Sequence, residues 1–242
     1  MQKLSAISTR APKEADKEAI KEKTKVLLEK IRTYQRSMYA QAKHSLLVIL
    51  QGVDASGKDG AIAKVFTGVN PLGCRVYAFK APTAVELSYD FLWRVHQQVP
   101  AKGMMQVFNR SHYEDILVPK IEGWLSEEQI RERYHFINVF ERLLKHNDTH
   151  ILKLYLHISP EEQKERLMER LTNPKKYWKH NDGDWQTVKK WDNFMNVYEE
   201  IFEKCNEIPW HIIPSDQNWY KEYLIAEKIV QTFEKMDLGD NH

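Results

Sequence analysis

A glycine-rich segment with a single lysine follows the first apolar run of the chain. The run covers residues 46–50, and Gly52, Gly57 and Lys58 follow in the spacing Gly-x-x-x-x-Gly-Lys, ahead of a helical pattern. A strand, a glycine loop and a helix in this order are typical of a phosphate-binding P-loop, whose backbone N–H groups converge on one spot. The alternative is an ordinary strand-to-helix turn with a surface lysine. We assign phosphate contacts to the loop and to two later lysines: Ala55, Ser56, Gly57, Lys58, Asp59, Gly60, Lys64 and Lys80.

The residue after the loop lysine is Asp59, where P-loops normally carry a Ser or Thr that binds magnesium. A metal at this loop therefore needs another ligand. Asp54, inside the loop, is the candidate because magnesium prefers carboxylate, phosphate and water oxygens. The alternative role for Asp54 is to hydrogen-bond the loop backbone, as Asp does in turns.

A second group of polar residues follows the third apolar run. Asn109 stands where P-loop proteins often have a carboxylate that handles magnesium, and Arg110 comes next. Arg110 is suited to neutralise phosphate oxygens during transfer, or alternatively to form a structural ion pair. Glu114 and Asp115 follow one helical turn later. They offer oxygen ligands to a metal or to water, or favour a helix N-terminus electrostatically.

A cationic stretch lies further along the chain. Residues 164–179 contain six Lys and Arg, and Arg166 and Arg170 share a helix face because they are four residues apart. A mobile cationic lid that closes on phosphates excludes water and stabilises the transition state. The alternative is a solvated helix with ion pairs between neighbouring turns.

The pattern of elements predicts how these residues meet. Apolar runs at 46–50, 74–79, 104–108, 150–158 and 209–214 alternate with helical patterns. This alternation predicts an α/β fold with three layers, in which helices cover both faces of a five-stranded parallel sheet. Ligands in such sheets bind beyond the carboxyl ends of the strands. The P-loop, residues 80–83 and residues 109–111 should therefore converge on one cleft.

Domain organisation follows from the same pattern. Residues 1–12 are small and polar and are expected to be disordered, and residues 13–242 form a single domain with an N-terminal helix and a lid at about 160–185. We expect one helix over 84–98 and another over 184–206.

Composition limits the class of protein. The 242 residues are 42% hydrophobic and 29% charged, with a net charge of +2, which is ordinary for a soluble globular protein. Bulk charge gives no reason to expect nucleic-acid binding. No apolar run approaches a membrane span, the first residues lack the apolar core of a signal peptide, and the two cysteines have no metal-like spacing. We expect a cytoplasmic protein that binds neither membrane nor nucleic acid.

Residues 13–235 resemble the polyphosphate kinase 2 family. The resemblance rests on Gly-x-Asp-x-x-Gly-Lys-x-Gly at 52–60, Lys-x-Pro-Thr at 80–83 and Leu-Trp-Arg-x-His at 92–96. It also rests on Phe-Asn-Arg-Ser-His-Tyr-Glu-Asp at 108–115 and on the charged lid sequence at 161–179. Many family members have Asp at the position of Asn109 and Asn at or near that of Glu114. The form seen here resembles the class III branch.

The resemblance implies a thymidylate-kinase-like P-loop kinase fold and Mg²⁺-dependent phosphoryl transfer between inorganic polyphosphate and nucleotides. Class III-like enzymes convert AMP to ADP and ADP to ATP, reversibly. Adenine nucleotides, or also guanine nucleotides, are the expected partners, and we expect a homo-oligomer of two or four copies. The implied nucleotide-binding residues are Pro82, Thr83, Arg94, His96, Asn109, Arg110 and Glu114.

We expect the catalytic residues to be Asp54, Lys58, Arg110, Arg166, Arg170 and Glu114. Lys58 would hold phosphates, the arginines would neutralise the transferring group, and Asp54 and Glu114 would bind the metal. Two other readings of the residues stay open. One is a nucleoside or nucleotide kinase that uses ATP as donor, and the other is a polyanion-binding protein without activity.

Overall fold

The sheet has five parallel strands. A computed structural model describes residues 3–179, 181 and 183–238. The strands are Ser45–Gln51 (β1), Cys74–Ala78 (β2), Met105–Asn109 (β3), Thr149–His157 (β4) and Trp210–Pro214 (β5). Their order across the sheet is β2-β3-β1-β4-β5, and every neighbouring pair is parallel. Each strand lies within about two residues of its predicted position.

The central strand β1 is buried on both faces, which is why its sequence is a continuous apolar run. Leu47 and Ile49 belong to one apolar cluster, and Leu46, Val48 and Leu50 belong to another. The two clusters lie on opposite faces because successive side chains of a strand alternate. Two cores around one sheet make three layers, and the predicted three-layer α/β/α fold is confirmed.

Helices cover both faces of the sheet. On the Val48 face lie Lys17–Gln41 (α1), Lys58–Val65 (α2) and, at the end of the chain, Asn218–Phe233 (α10). The opposite face is covered by Glu114–Glu122 (α5), Glu127–His146 (α6) and Trp191–Lys204 (α9). None of the helices in the described ranges is both long and apolar enough to cross a bilayer.

Two predicted helices are interrupted. The helix expected over 84–98 is two single turns, Ala84–Leu87 (α3) and Trp93–His96 (α4). The Asp90 side chain accepts a hydrogen bond of 2.9 Å from the backbone N–H of Leu92, which turns the chain between them. The helix expected over 184–206 is divided at Lys190 into Asp184–Lys189 (α8) and α9.

The N-terminal segment differs from the expectation of disorder. Leu4 is only 2% exposed and belongs to the core cluster on the Leu47 face of the sheet. Thr9 donates a hydrogen bond of 2.7 Å to Asp216, and the side chain of Gln217 accepts one of 2.9 Å from the backbone of residue 11. Residues 3–12 are thus ordered by the apolar contacts of Leu4 and Ile7 and by hydrogen bonds that include those to the loop after β5. Residues 1 and 2 lie outside the described residues.

The predicted lid region consists of three short elements. They are Pro160–Thr172 (α7), the 3-10 helix Pro174–Lys179 and α8. Ser159 caps α7 by accepting the backbone N–H of Glu162, and Pro160 occupies its first turn. Residues 180 and 182, within the predicted lid, lie outside the described residues.

Candidate active site

A cleft of about 910 Å³ opens at the carboxyl edge of the sheet. Its walls come from the P-loop, the ends of β2 and β3, the lid region and the start of α10. The sequence segments predicted to converge therefore meet, as parallel strands require. The predicted site residues that line the cleft are Asp54, Ala55, Ser56, Gly57, Lys58, Asp59, Gly60, Lys80, Asn109, Arg110, Arg166 and Arg170.

Lys58 is buried within the loop that precedes it. Its ammonium donates hydrogen bonds to the carbonyls of Gly52, at 2.7 Å, and Val53, at 3.1 Å. Burial, followed by the nearby charge of Arg110, lowers the pKa of Lys58 to about 8. The loop thus holds a buried cation that forms no ion pair with a carboxylate within the described residues, although Asp54, Glu114 and Asp59 lie near enough to attract it, and this suits an anionic ligand.

Asp54 is held by two side chains from outside the loop. Its carboxylate is paired with the Arg110 guanidinium and accepts a hydrogen bond of 2.7 Å from Thr187 on α8. Burial alone would raise the pKa of Asp54, but Arg110, Lys58 and the Thr187 hydrogen bond outweigh it and lower the pKa. Asp54 is therefore ionised at neutral pH, and in this structure its carboxylate connects the loop to Arg110 and to α8.

Arg110 connects two carboxylates, that of Asp54 in the P-loop and that of Glu114 at the start of α5. Its φ of 63° is in the left-handed region, and its backbone N–H donates to Leu50 at 3.0 Å. The guanidinium contacts Asp54 and, at 3.4 Å, Glu114. The charges of Glu114 and Asp54 outweigh burial and raise the pKa of Arg110. Its side chain is still 37% exposed, so one side of the guanidinium faces the cleft.

All three side-chain nitrogens of Arg166 donate hydrogen bonds to other groups of the protein. Nε bonds Glu162 at 2.7 Å, and the terminal nitrogens bond four backbone carbonyls at 2.7–3.1 Å. The four carbonyls belong to Ala55, Ser56, Ser215 and Asp216. Arg166 thus fastens the lid helix α7 to the P-loop and to the loop after β5.

The second lid arginine, Arg170, is paired with Asp184 and donates to the Lys179 carbonyl at 3.2 Å. It ties α7 to the rest of the lid region. Burial and the nearby charge of Asp54 raise the pKa of Asp184. Asp184, Thr187 and Gln163, whose side chain donates to the Asp54 carbonyl at 3.1 Å, were not identified from the sequence as site residues.

Asp59 joins three segments of the site. One carboxylate oxygen accepts the Asn109 side-chain amide at 2.8 Å, and the other accepts the Lys179 ammonium at 3.2 Å. Burial opposes ionisation, but these two hydrogen bonds outweigh it and lower the pKa of Asp59. The P-loop helix, the end of β3 and the lid are thereby linked through one side chain.

Several residues expected to bind nucleotide or phosphate stand outside the cleft lining: Lys64, Pro82, Thr83, Arg94, His96 and Glu114. Thr83 caps α3 in a reciprocal pair of hydrogen bonds with Glu86. Arg94 is buried and donates to Asp115 at 3.0 Å and to the Lys80 carbonyl at 2.9 Å. The His96 ring packs edge-on against Phe140 at 4.9 Å.

The oxygen donors of the cleft suit a metal that binds phosphates. Within the described ranges, no group of three His, Cys, Asp or Glu side chains forms a metal site by itself. Magnesium does not need one, since it commonly uses one or two carboxylates together with phosphate oxygens and water. The ionised Asp54 carboxylate, within the P-loop, fits this chemistry.

Comparisons with known proteins agree with this geometry. The profile of the family described as Polyphosphate kinase 2 matches residues 14–241. The chain is 45% identical to an AMP/ADP-polyphosphate phosphotransferase of Meiothermus ruber over 91% of this chain and 84% of that protein. It is 33% identical to an ADP-polyphosphate phosphotransferase of Rhodopseudomonas palustris over 92% and 82% of the two chains.

The crystal structure of a polyphosphate kinase 2 from Arthrobacter aurescens superposes with a TM-score of 0.94 at 35% identity, covering 99% of this chain and 88% of that one. The fold is therefore shared with a solved protein along nearly the whole chain.

Proposed function

The chain belongs to the polyphosphate kinase 2 family and is a polyphosphate:nucleotide phosphotransferase, and we propose that it phosphorylates both AMP and ADP, reversibly and with Mg²⁺. The observation that carries the proposal is the P-loop cleft, which is lined by several cations. Lys58, Lys80 and Arg110 line it together with lysines of the lid region and of α10. The similarity to a relative named for AMP and ADP supports the choice of acceptors.

In the proposed reaction, a phosphate oxygen of the nucleotide attacks the terminal phosphorus of the polyphosphate chain. The new P–O bond forms as the bridging P–O bond to the next phosphate breaks, and the shortened chain leaves with the electron pair. Transfer of this kind needs positioning and charge neutralisation more than covalent help from the protein. Lys58 would hold the donor phosphates, and Arg110 and Arg170 would neutralise the transferring group.

Asp54 and Glu114 are the carboxylates proposed to hold Mg²⁺, which would neutralise charge on the phosphates. In this structure the Arg110 guanidinium is paired with both carboxylates. Phosphate binding would draw the guanidinium away from them and toward the ligand. Arg166 has no free donor, and its proposed role is to position the lid helix.

We also propose a homo-oligomer of two or four copies, and adenine or also guanine nucleotides as acceptors. Phe136, Val139 and Leu143 support the first point, because they form an exposed apolar stripe with helical spacing along α6.

The proposal is tested by measuring ADP formed from AMP, and ATP formed from ADP, with polyphosphate as the only donor and with or without Mg²⁺. Wild type should turn over, and Lys58→Ala should lose activity while staying folded. Lys228→Ala is the matched control, because Lys228 lies on α10 but does not line the cleft, and it should behave as wild type. Turnover only with ATP as donor would indicate an ordinary nucleotide kinase, and binding without turnover would indicate a polyanion-binding protein.

A further inference from the structure

Lys221 is a buried lysine at the start of α10, on the wall of the cleft. It is only 1% exposed. Its ammonium donates to the Asn218 side chain at 2.8 Å and, more weakly, to the Gly57 carbonyl at 3.3 Å. Within the part of the chain that the structure describes, no carboxylate forms an ion pair with it.

Burying an ammonium without a counter-charge is costly, so such a group commonly indicates an anionic ligand. Burial, together with the charge of Arg166, lowers the pKa of Lys221 to about 8. An anion placed in the cleft would relieve this cost. Burial likewise lowers the pKa of Lys58, the loop lysine, to about 8.

The position of Lys221 relates it to the P-loop. Lys58 bonds the carbonyls at the start of the loop, whereas Lys221 bonds the carbonyl at its end. A Cβ atom built on Gly57 would collide with the Lys221 ammonium, and Gly57 also has a φ of 91°. Glycine at this position therefore lets the lysine approach the loop backbone directly.

The neighbouring carboxylates are mostly engaged elsewhere. Glu162 is paired with Arg166, and Glu169 is paired with Lys176. Glu222, next to Lys221 in the chain, attracts its charge but forms no ion pair with it within the described residues, and burial raises the pKa of Glu222. The Lys221 ammonium is thus available to bind an anionic ligand at this wall of the cleft.

We propose that Lys221 binds a phosphate unit of the polyphosphate donor, next to the units held by the P-loop. The inference rests on the proposed function, because it concerns the donor of that reaction. A nucleotide acceptor brings one or two phosphates, whereas a long polyphosphate has units that continue past the loop. Lys221 therefore contributes to affinity for the donor and not to affinity for AMP.

The test is equilibrium titration of long linear polyphosphate, and separately of AMP, by calorimetry on the complete protein. Lys221→Gln removes the charge but keeps a donor for the Gly57 carbonyl, and Lys221→Arg keeps the charge. Lys228→Gln is the matched control, because Lys228 lies on the same helix with its ammonium bonded to Gln231. We expect Lys221→Gln to weaken polyphosphate binding about tenfold or more, with the AMP Kd unchanged and Lys221→Arg close to wild type.

An unchanged polyphosphate Kd in folded Lys221→Gln would overturn the inference, and so would equal weakening in the Arg variant. These outcomes are separate from failure of the proposed function, which would appear as absence of turnover in wild type. If Lys221→Gln does not fold, the inference is tested by NMR on the wild-type protein labelled with ¹⁵N-lysine. The Lys221 Nζ signal, assigned with Lys221→Arg, should shift on addition of polyphosphate but not of AMP, and no shift with either would refute the assignment.

Discussion

The Asn109 side chain donates a hydrogen bond of 2.8 Å to Asp59, so the end of β3 and the residue after the P-loop lysine are direct neighbours. In P-loop proteins these two positions usually hold a carboxylate and a hydroxyl, respectively. Here the carboxylate stands on the P-loop helix and the neutral group on the strand. The pair still carries one negative charge, but this charge lies on the P-loop helix instead of on the strand.

This pair predicts the effect of Asn109→Asp. Two carboxylates would face each other, and like charges at this distance repel. We expect the Tm of the variant to fall relative to wild type at neutral pH and to recover as acid protonates one of the two groups. The double variant Asp59→Asn/Asn109→Asp restores an amide–carboxylate pair and should regain most of the lost Tm. A double variant no more stable than the single one would show that Asp59 and Asn109 are not coupled.

Asp54→Asn should reduce turnover far more than stability. An Asn oxygen still accepts the Thr187 hydrogen bond, but the charge that would attract Mg²⁺ and Arg110 is lost. We expect kcat/KM to fall about a hundredfold or more, with a small change in Tm. Thr187→Val is the matched control, because it removes the brace and keeps the charge. Near-normal turnover of Asp54→Asn at limiting magnesium, or equal loss in Thr187→Val, would make Asp54 a loop brace only.

The strands and their convergence could be predicted because they depend on local pattern. A run such as 46–50 is apolar at every position, and this indicates a strand buried on both faces. Parallel strands then bring their carboxyl ends to one edge, so the meeting of Lys58, Lys80 and Arg110 follows from topology alone.

Contacts between distant segments could not be predicted in this way. Arg94 belongs to a motif of the family, yet its partners are Asp115 and a backbone carbonyl, a pairing that depends on how α4 and α5 pack. Leu4 and Ile7 are isolated apolar residues in a mostly polar segment, and periodicity carries no signal for them. Lys221 could have been suspected, because the rule about strand ends applies to the segment after β5 as well.

Arg166→Lys should destabilise the fold. A lysine cannot replace the planar set of five donors, so several carbonyls of the P-loop and of residues 215–216 would lose their partner. We expect the free energy of unfolding to fall by about 2 kcal/mol, measured in urea. Arg142→Lys is the control, since Arg142 forms an exposed pair with Glu207 that contributes little. A wild-type urea midpoint in Arg166→Lys would show that these hydrogen bonds are not needed for the fold.

Binding of polyphosphate should weaken as the pH rises through about 8. Burial lowers the pKa values of Lys58 and Lys221 to about 8, so both are protonated below that pH and lose their charge above it. The Kd for polyphosphate, measured across this range, should therefore increase on the alkaline side. An arginine stays charged there, so Lys58→Arg should reduce the dependence to the part that comes from Lys221. A Kd that is independent of pH in wild type would mean that neither ammonium titrates in the free protein.

Glu114→Asn should change the preference between AMP and ADP. Glu114 shares Arg110 with Asp54, so its charge helps to set where the guanidinium stands in the cleft. AMP has one phosphate and ADP has two, so the accepting oxygen lies at a different depth for each. Without the Glu114 charge, the guanidinium would move toward Asp54. It would then neutralise the accepting phosphate better at one of these two depths than at the other.

The measurement for Glu114→Asn is kcat/KM for both acceptors at fixed polyphosphate and magnesium, together with the polyphosphate Kd. We expect the ratio of the two kcat/KM values to change more than the Kd does. Glu114→Gln keeps the side-chain length and removes the charge, so it should behave like the Asn variant if charge is the cause. Equal losses for AMP and ADP would assign Glu114 to general catalysis. No loss for either would leave it as a carboxylate that stabilises the start of α5 through the helix dipole.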